Sequence, residues 1–355
     1  VASTDYFDDV RIGKEVLAGS SDAYRKLRNT FRYLLGALEG FTEAEKVPVN
    51  DMPELERYML HRLAELDATL REVVSDRASE NWLEFSRYTR ALNDFANIDL
   101  SAFFFDIRKD CLYCDVNPET GKQTDKRRAY RTVLDLLFHA LVRYAAPIIP
   151  FTAEEVWKSR FPQTDSVHML DWPDFQSLLS RHPDAPADTS PPRHPRESGD
   201  PAATPELDSR LRGNDGFLDE GLGQKWERVL AYRKSVNEVI EPLRREKTVR
   251  SSLEAEIIVS FSKNDDLERM GTALASELFI VSEVQFETVV AHNIGQSDAA
   301  EIVVAHPEGA YVPANLGIGI QVVPTENHKC GRCWRHLPEV TEDGDLCDRC
   351  EDILA

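Results

Sequence analysis

The sequence predicts a mainly helical chain, in which a bundle of long helices precedes a small α/β subdomain and a cysteine-rich C-terminal module. Three observations support this fold class. Apolar residues recur every three or four positions through much of the first half, which is typical of amphipathic helices. Runs rich in valine and isoleucine appear after residue 250, and four cysteines stand in two pairs near the C-terminus. The 355 residues suffice for two or three domains.

Four long apolar patterns predict the helices of the bundle. They cover residues 20–40, 53–75, 82–108 and 125–146. The first pattern runs along one stripe to Leu38 and ends at Gly40, which is a common stop signal. A proline-containing break and a shorter helix follow the fourth pattern. Because long helices joined by short loops form bundles, we expect a helical domain over residues 1–175, with 1–20 as a connector.

The composition changes abruptly after this helical domain. Residues 176–216 contain seven prolines and no phenylalanine, tyrosine or tryptophan. Such a stretch cannot bury enough apolar surface to offset the entropy lost on ordering. We therefore predict a disordered linker or insertion over residues 176–222.

Regular patterns return at about residue 223 and predict a small α/β subdomain over residues 223–327. A long amphipathic helix ends near Arg245. After it, the pattern predicts a strand, a helix and two further strands, at 253–261, 265–276, 279–289 and 300–306. An apolar run with two glycines, LGIGI, follows and is only a weak signal for a phosphate-binding loop.

The terminal residues 328–355 contain two C-x-x-C pairs separated by thirteen residues. The pairs are Cys330 with Cys333, and Cys347 with Cys350. Two such knuckles complete the tetrahedral four-sulfur shell that zinc prefers, and a full shell leaves no position for a catalytic water. The segment has few apolar residues, so bound metal would supply its folding free energy. We predict one structural zinc; two disulfides are the alternative.

A third C-x-x-C pair, Cys111 and Cys114, has no second pair beside it and gives only half a zinc site. We interpret these residues as ordinary buried thiols, with a redox pair as the alternative. The use of cysteine fits a reducing cytosol. The sequence shows no signal peptide and no long apolar run, so we expect no membrane partner. The first residue, Val1, suggests the C-terminal piece of a longer protein.

Several separated segments resemble one enzyme family. These segments are DAYRKLRNTFRYLLG at 22–36, YTRALNDFANIDLSAFFFDIRKDCLYCD at 88–115, APIIPFTAEEVW at 146–157, SVHMLDWP at 166–173, SLEAEI at 252–257 and KCGRCW at 329–334. Together they resemble the C-terminal part of bacterial isoleucyl-tRNA synthetases. The helical segments also occur in valyl and leucyl relatives, but the terminal cysteine pairs favour the isoleucyl family.

The resemblance implies that the bundle is a class I anticodon-binding domain, and that the whole enzyme joins isoleucine to its tRNA using ATP and magnesium. The HIGH and KMSKS signatures that hold ATP are absent from this sequence. ATP and magnesium are therefore expected only in a catalytic domain outside the chain, which alone should be inactive. The implied partners are the anticodon stem-loop of isoleucine tRNA and the catalytic and editing domains of the same polypeptide. We expect a cytoplasmic monomer.

Candidate tRNA contacts are basic clusters and one aromatic residue, since RNA recognition combines cations with planar groups that stack on bases. The candidates are Arg25 and Arg28 in the first helix; Arg244, Arg245, Lys247 and Arg250 after the long helix; and Lys329, Arg332, Trp334 and Arg335 around the first knuckle. A solvated helix face is the alternative for each cluster. For Trp334, the alternative is packing of the knuckle onto the α/β subdomain.

A net charge of −20 is not typical of a nucleic-acid-binding protein, because such proteins are usually basic. The negative charge favours a different class of function, a stand-alone zinc-ribbon interaction module that binds no RNA. The corresponding region of a valyl or leucyl synthetase is another alternative. The agreement of several separated segments favours a synthetase over the interaction module, and the terminal cysteine pairs favour the isoleucyl family over its valyl and leucyl relatives.

Overall fold

The computed structural model describes residues 2–4, 12–75, 77–78, 82–179, 215–261, 265–288 and 318–355. The chain forms two compact units. The helical unit comprises Val1–Leu112 and Gln123–Glu220, and the C-terminal unit comprises Tyr113–Lys122 and Gly221–Ala355. The C-terminal unit thus includes a short segment, 113–122, that the sequence analysis assigned to the helical domain.

The helical unit contains the predicted long helices. They are α1 (Lys14–Ala37), α2 (Glu54–Ser75), α3 (Phe85–Asp94), α4 (Phe105–Cys114), α5 (Asp125–Ala145), α6 (Pro150–Arg160) and the short α7 (Phe175–Leu179). Helix α5 is the centre of the unit, because α1, α2 and α6 all pack against it. Its side chains are buried on almost every face, including Tyr130, Leu137 and Phe138. A helix that is buried all round belongs to the core of a bundle.

The third predicted helix, 82–108, is interrupted. Residues Phe95–Phe104 between α3 and α4 form a π-helix, whose turn is wider than that of an α-helix. Its C-terminal end places Phe103 and Phe104 in the core, beside the aromatic rings of Tyr58 and Tyr130. An apolar period near 3.6 residues does not distinguish the two helix types over so short a span.

The core of the helical unit also contains a buried ion pair. Arg108 donates two hydrogen bonds to the Glu56 carboxylate, at 2.6 and 2.8 Å, and both side chains are almost completely inaccessible to solvent. Two buried charges of this kind remain tolerable only when they are paired and hydrogen-bonded. The pair joins α2 to α4, and no apolar pattern in the sequence indicates it.

The two ends of the predicted linker, 176–222, belong to the helical unit. Phe175 and Leu178 of α7 are buried, and the ring of Phe217 packs at 5.8 Å from that of Phe175. The backbone N–H of Asp219 donates to Nδ1 of His61 at 3.0 Å. The prediction of disorder is therefore wrong for residues 176–179 and 215–222, and residues 180–214 lie outside the described residues.

The C-terminal unit contains α8 (Glu220–Arg245), which begins slightly before its predicted start, and a three-stranded sheet. The strands are β1 (Ala255–Phe261), β2 (Glu283–Thr288) and β3 (Ile318–Pro324), in the order β2-β1-β3. Strand β1 pairs parallel with β2 through the crossover helix α9 (Asp265–Phe279), and antiparallel with β3. The LGIGI run contributes to β3, so its Gly319 pairs with Ser260 in the sheet. The strand predicted at 300–306 lies outside the described residues.

Helix α10 (Asp348–Leu354) carries Cys350 of the second cysteine pair, and Cys347 is its N-cap residue. Among the described helices, none is both long enough and apolar enough to cross a membrane.

Candidate metal centre and nucleic-acid interface

The four terminal cysteines meet in one buried cluster. The Sγ atoms of Cys330, Cys333, Cys347 and Cys350 all lie within 4.8 Å of one another, and all four residues are buried. The Sγ atoms of Cys333 and Cys347 are 3.8 Å apart. No disulfide joins them, so the disulfide alternative does not describe this structure.

Close backbone approach between the two knuckles requires glycine. A Cβ atom on Gly331 would lie 2.3 Å from the carbonyl oxygen of Gly344, which no side chain could tolerate. Gly344 itself has a φ of 105°, a conformation that favours glycine. The N–H groups of Gly331 and Gly344 donate to the carbonyls of Asp345 and Lys329, at 2.9 Å each, and tie the knuckles together.

Backbone hydrogen bonds and burial act in opposite directions on the acidity of these thiols. Burial acts to raise the pKa of Cys330, but hydrogen bonds from the backbone at Cys333, Arg332 and Cys347 outweigh it and lower that pKa to about 6. Burial raises the pKa of Cys347 to about 11 and also raises that of Cys350. The thiolate is the metal-binding form, and several buried thiolates together require a cation.

The donor set fits one structural zinc ion. Four sulfur donors within 4.8 Å of one another match the soft, tetrahedral shell of zinc, and all four positions of such a shell are taken by protein. The predicted zinc ligands are therefore brought together, in the arrangement that the C-x-x-C spacing indicates.

A segment distant in sequence packs against this centre. Cys114 is buried in the same cluster as the four zinc-site cysteines and Val340, and its Sγ lies 3.7 Å from the carbonyl oxygen of Arg332. Cys111 is also buried, so the prediction of buried thiols is confirmed for both residues. The proximity of Cys114 to the zinc site was missed, because no local pattern reports a contact across more than two hundred residues.

The loop 113–122 is attached to the zinc module, residues 328–355, by several further contacts. The Arg332 guanidinium donates to the carbonyl oxygens of Cys114 and Val116, at 2.6 and 2.5 Å. Asn117 donates to the carbonyl of Leu354, and Lys122 to that of Asp352, at 3.2 and 3.0 Å. The guanidinium of Arg332, predicted to contact phosphate, is thus engaged in holding this loop.

Trp334 projects from the first knuckle into solvent. It is 62% exposed, although most large aromatic side chains of the unit are buried. Its φ of 64° is rare for a residue other than glycine and turns the chain directly after Cys333. The Lys329 ammonium lies 5.1 Å from the centre of the indole ring, within the range of a cation–π contact. The exposure argues against Trp334 packing the knuckle onto the α/β subdomain.

Of the remaining candidate contacts, Arg335 of the zinc module is half-buried, and the basic residues of α1 and of the end of α8 are exposed. Arg244 and Arg245 lie in the last turn of α8, where Arg244 pairs with Glu241 at 2.6 Å. Lys247 and Arg250 follow in the exposed loop before β1. In the helical unit, Arg25 pairs with Asp22, whereas Arg28 is exposed and makes no ion pair among the described residues.

Comparison with known proteins identifies the family. The anticodon-binding domain of tRNA ligase matches residues 56–259, which is more than half of the chain. The chain belongs to this tRNA ligase family. A zinc finger found in FPG and IleRS matches residues 327–353, the segment that carries the four clustered cysteines. The two matches agree with the resemblance noted in the sequence.

Curated relatives match the chain along its whole length. The chain is 49% identical to an isoleucine--tRNA ligase of Zymomonas mobilis over 355 residues, which is all of the chain and 30% of the relative. It is 36% identical to the isoleucine--tRNA ligase of Gluconobacter oxydans over 360 residues, again all of the chain and 30% of the relative. The chain thus spans about 30% of the length of these relatives and matches their C-terminal part.

Proposed function

We propose that the chain is the tRNA-recognition region of an isoleucine--tRNA ligase and that it contacts the anticodon end of isoleucine tRNA. The observation that carries the proposal is the exposed indole of Trp334, on a zinc knuckle, in a chain that resembles isoleucine--tRNA ligases throughout its length. The 49% identity to an isoleucine enzyme favours this substrate over the tRNA of a valyl or leucyl relative.

Trp334 is the proposed stacking platform for a base of the anticodon loop. The positive φ of Trp334 turns the chain after Cys333, the indole is exposed, and Lys329 adds a positive charge beside it. Stacking of a base on an aromatic side chain contributes about 1–3 kcal/mol. The proposed phosphate contacts are basic residues in three places: Arg335 beside Trp334 in sequence; Arg244, Arg245, Lys247 and Arg250 at and after the end of α8; and Arg25 and Arg28 in the helical unit. Arg332 acts through the loop that it holds.

In this proposal, catalysis, proofreading and tRNA recognition belong to different domains of the enzyme. ATP, magnesium and the chemistry of aminoacylation belong to a catalytic domain of the same polypeptide, and proofreading belongs to its editing domain. The chain itself supplies tRNA recognition and a structural zinc, and acts as a monomer in the cytoplasm. Purified alone, it should give no isoleucine-dependent pyrophosphate exchange.

The decisive experiment measures tRNA affinity and zinc content on the same variant, Trp334→Ala. If the indole stacks on a base, affinity for an isoleucine tRNA transcript falls by about 1–3 kcal/mol while one zinc per chain remains. A matched control is Trp82→Ala, which removes an exposed tryptophan of the helical unit. Binding by the wild type should weaken as salt is added, because basic side chains that contact phosphates displace counterions from the RNA.

Two results would overturn the proposal. If the wild-type chain showed no salt-dependent binding to isoleucine tRNA, the chain would be better described as an interaction module that binds no RNA. If Trp334→Ala kept both full zinc and full affinity, the stacking role would be wrong. Loss of zinc together with affinity would assign Trp334 to the folding of the knuckle instead.

A further inference from the structure

A fifth cysteine lies beside the four cysteines of the zinc site. The buried cluster at the metal centre contains Cys114 together with Cys330, Cys333, Cys347 and Cys350. Within the described part of the chain, the last four form the donor set whose Sγ atoms lie within 4.8 Å of one another. None of the five is in a disulfide. A tetrahedral shell is complete with four sulfurs, so Cys114 is a thiol of the centre that metal binding does not require.

Contacts in both directions hold Cys114 next to the first knuckle. The Cys114 thiol donates to the carbonyl oxygen of Arg332 at 3.7 Å, and the peptide bond of that carbonyl leads directly into Cys333. In return, the Arg332 guanidinium donates to the carbonyl oxygen of Cys114 at 2.6 Å. The end of α4 is therefore fastened to the residue that precedes a zinc ligand.

The two cysteines that approach each other here are also the most accessible of the cluster. Cys114 and Cys333 are each 8% exposed, whereas the other three zinc-site cysteines are completely buried. A cysteine bound to zinc is a thiolate, and the thiolate is the form that oxidants attack. A small oxidant that enters from solvent therefore meets Cys333 before the other ligands.

We propose that Cys114 is a resolving cysteine for Cys333, and that a peroxide converts the two into a disulfide. In the first step, the Cys333 thiolate attacks one peroxide oxygen, a sulfur–oxygen bond forms, the oxygen–oxygen bond breaks and hydroxide leaves. Cys333 is now a sulfenic acid, which condenses with a neighbouring thiol. In the second step, the Cys114 sulfur attacks the Cys333 sulfur, and the sulfur–oxygen bond breaks. The departing hydroxide takes the proton of Cys114 and becomes water, so two sulfurs together have lost two electrons to the peroxide.

The position of Cys114 outside the donor set makes it the expected partner of the oxidised Cys333. The remaining three ligands share their sulfur electrons with the metal, which lowers their reactivity towards the sulfenic acid. Once Cys333 is in a disulfide, three sulfurs are left for the metal, and the zinc module loses the ion that stabilises its fold. The disulfide site is thus a redox-sensitive release for zinc, and it does not depend on the proposed function.

The test uses the full 355-residue chain loaded with zinc and hydrogen peroxide as the oxidant. A chromogenic chelator follows zinc release, and mass spectrometry of peptides prepared without reductant identifies the disulfide. We expect the wild type to release its zinc and to yield a peptide that joins Cys114 to Cys333. Dithiothreitol with added zinc should then restore one zinc per chain, because a disulfide is reversible. In Cys114→Ser, the joined peptide should be lost and Cys333 should accumulate as sulfinic acid, which dithiothreitol does not reduce.

The matched control is Cys111→Ser, which removes a buried thiol three residues earlier, outside the cluster, and should behave as wild type. Zinc content before oxidation checks that each variant is folded at the metal centre. A wild type that keeps its zinc in peroxide, or that joins Cys333 to Cys347 instead, would overturn the inference. So would equal recovery of zinc by wild type and Cys114→Ser, or a Cys114→Ser chain that carries no zinc before oxidation, since Cys114 would then be part of the shell itself.

Discussion

The helical unit and the zinc module are stabilised by different means. In the helical unit, α5 alone buries sixteen of its 21 residues, most of them apolar. In the zinc module, the buried side chains are the four cysteines, Val340 and Ile353. The apolar surface buried in the helical unit stabilises its fold, at roughly 25 cal/mol per Å² removed from water. The zinc module buries too little apolar surface to fold in the same way, so its fold depends on metal and on the loop 113–122.

The strongest test of this comparison is removal of the metal. Replacing Cys347 by serine, or adding a chelator, should unfold the zinc module, since structural zinc supplies of order 10 kcal/mol to such segments. Metal analysis should show loss of the single zinc, and limited proteolysis should cut within residues 328–355. Far-ultraviolet circular dichroism should change little, because the helical unit is held by its own core.

The matched control for this prediction is Cys111→Ser, which removes a buried thiol outside the zinc cluster and should leave zinc content at one per chain. A gently purified wild-type chain without metal, or a module that stays resistant to protease after chelation, would contradict the dependence on zinc.

The next largest effect is expected in the helical unit. Glu56→Ala removes the carboxylate that accepts two hydrogen bonds from the buried Arg108 guanidinium, and removal of one member of a buried ion pair costs about 3–5 kcal/mol. Urea unfolding followed by circular dichroism measures the loss. Zinc content should stay at one per chain, because the pair is part of the helical core and not of the metal centre.

A double variant provides the control for Glu56→Ala. Glu56→Leu with Arg108→Met replaces both charges by apolar side chains of comparable size, and such replacements of buried pairs are often nearly neutral. A single variant as stable as wild type would show that Arg108 finds another partner or water. A double variant as unstable as the single one would show that shape, and not charge, decides stability at this position.

A smaller effect is expected at the contact between the loop 113–122 and the zinc module. Arg332→Ala removes the guanidinium that donates to the carbonyls of Cys114 and Val116. A hydrogen bond to a charged group contributes about 1.5–3 kcal/mol. Hydrogen exchange in the loop should become faster while zinc remains bound. Arg335→Ala is the control, and an equal effect there would refute the specific role of Arg332.

The sequence was sufficient to predict the structure wherever a short-range pattern of residues determines it. The apolar periodicity predicted α2 and α5 nearly to their ends, and the C-x-x-C spacing predicted which cysteines meet. It was insufficient where residues far apart determine the outcome. Neither the Glu56–Arg108 pair nor the contact of Cys114 with the zinc cluster leaves a local pattern. The π-helix at Phe95–Phe104 is likewise not indicated by the apolar periodicity, which continues through it.

The smallest effect is expected from shortening the predicted linker. Phe175 and Phe217 already contact each other in the helical unit, so residues 179 and 215 can be joined by a few glycines and serines without disturbing that contact. The removed segment, 180–214, has no aromatic residue with which to build a core. We expect the free energy of unfolding to change by less than about 1 kcal/mol, equivalent to a shift of roughly 2–4 °C in Tm.

A longer deletion tests whether residues 175–179 and 215–217 stabilise the helical unit. Extending the deletion to residues 175–217 removes Phe175, Leu178 and Phe217, all of them buried. Truncation of one buried phenylalanine costs about 3–5 kcal/mol, so the longer deletion should destabilise the helical unit clearly. Zinc content should be unaffected in both deletions, since the metal centre belongs to the C-terminal unit. A large loss of stability already in the shorter deletion would mean that the proline-rich segment contributes packing that its composition does not predict.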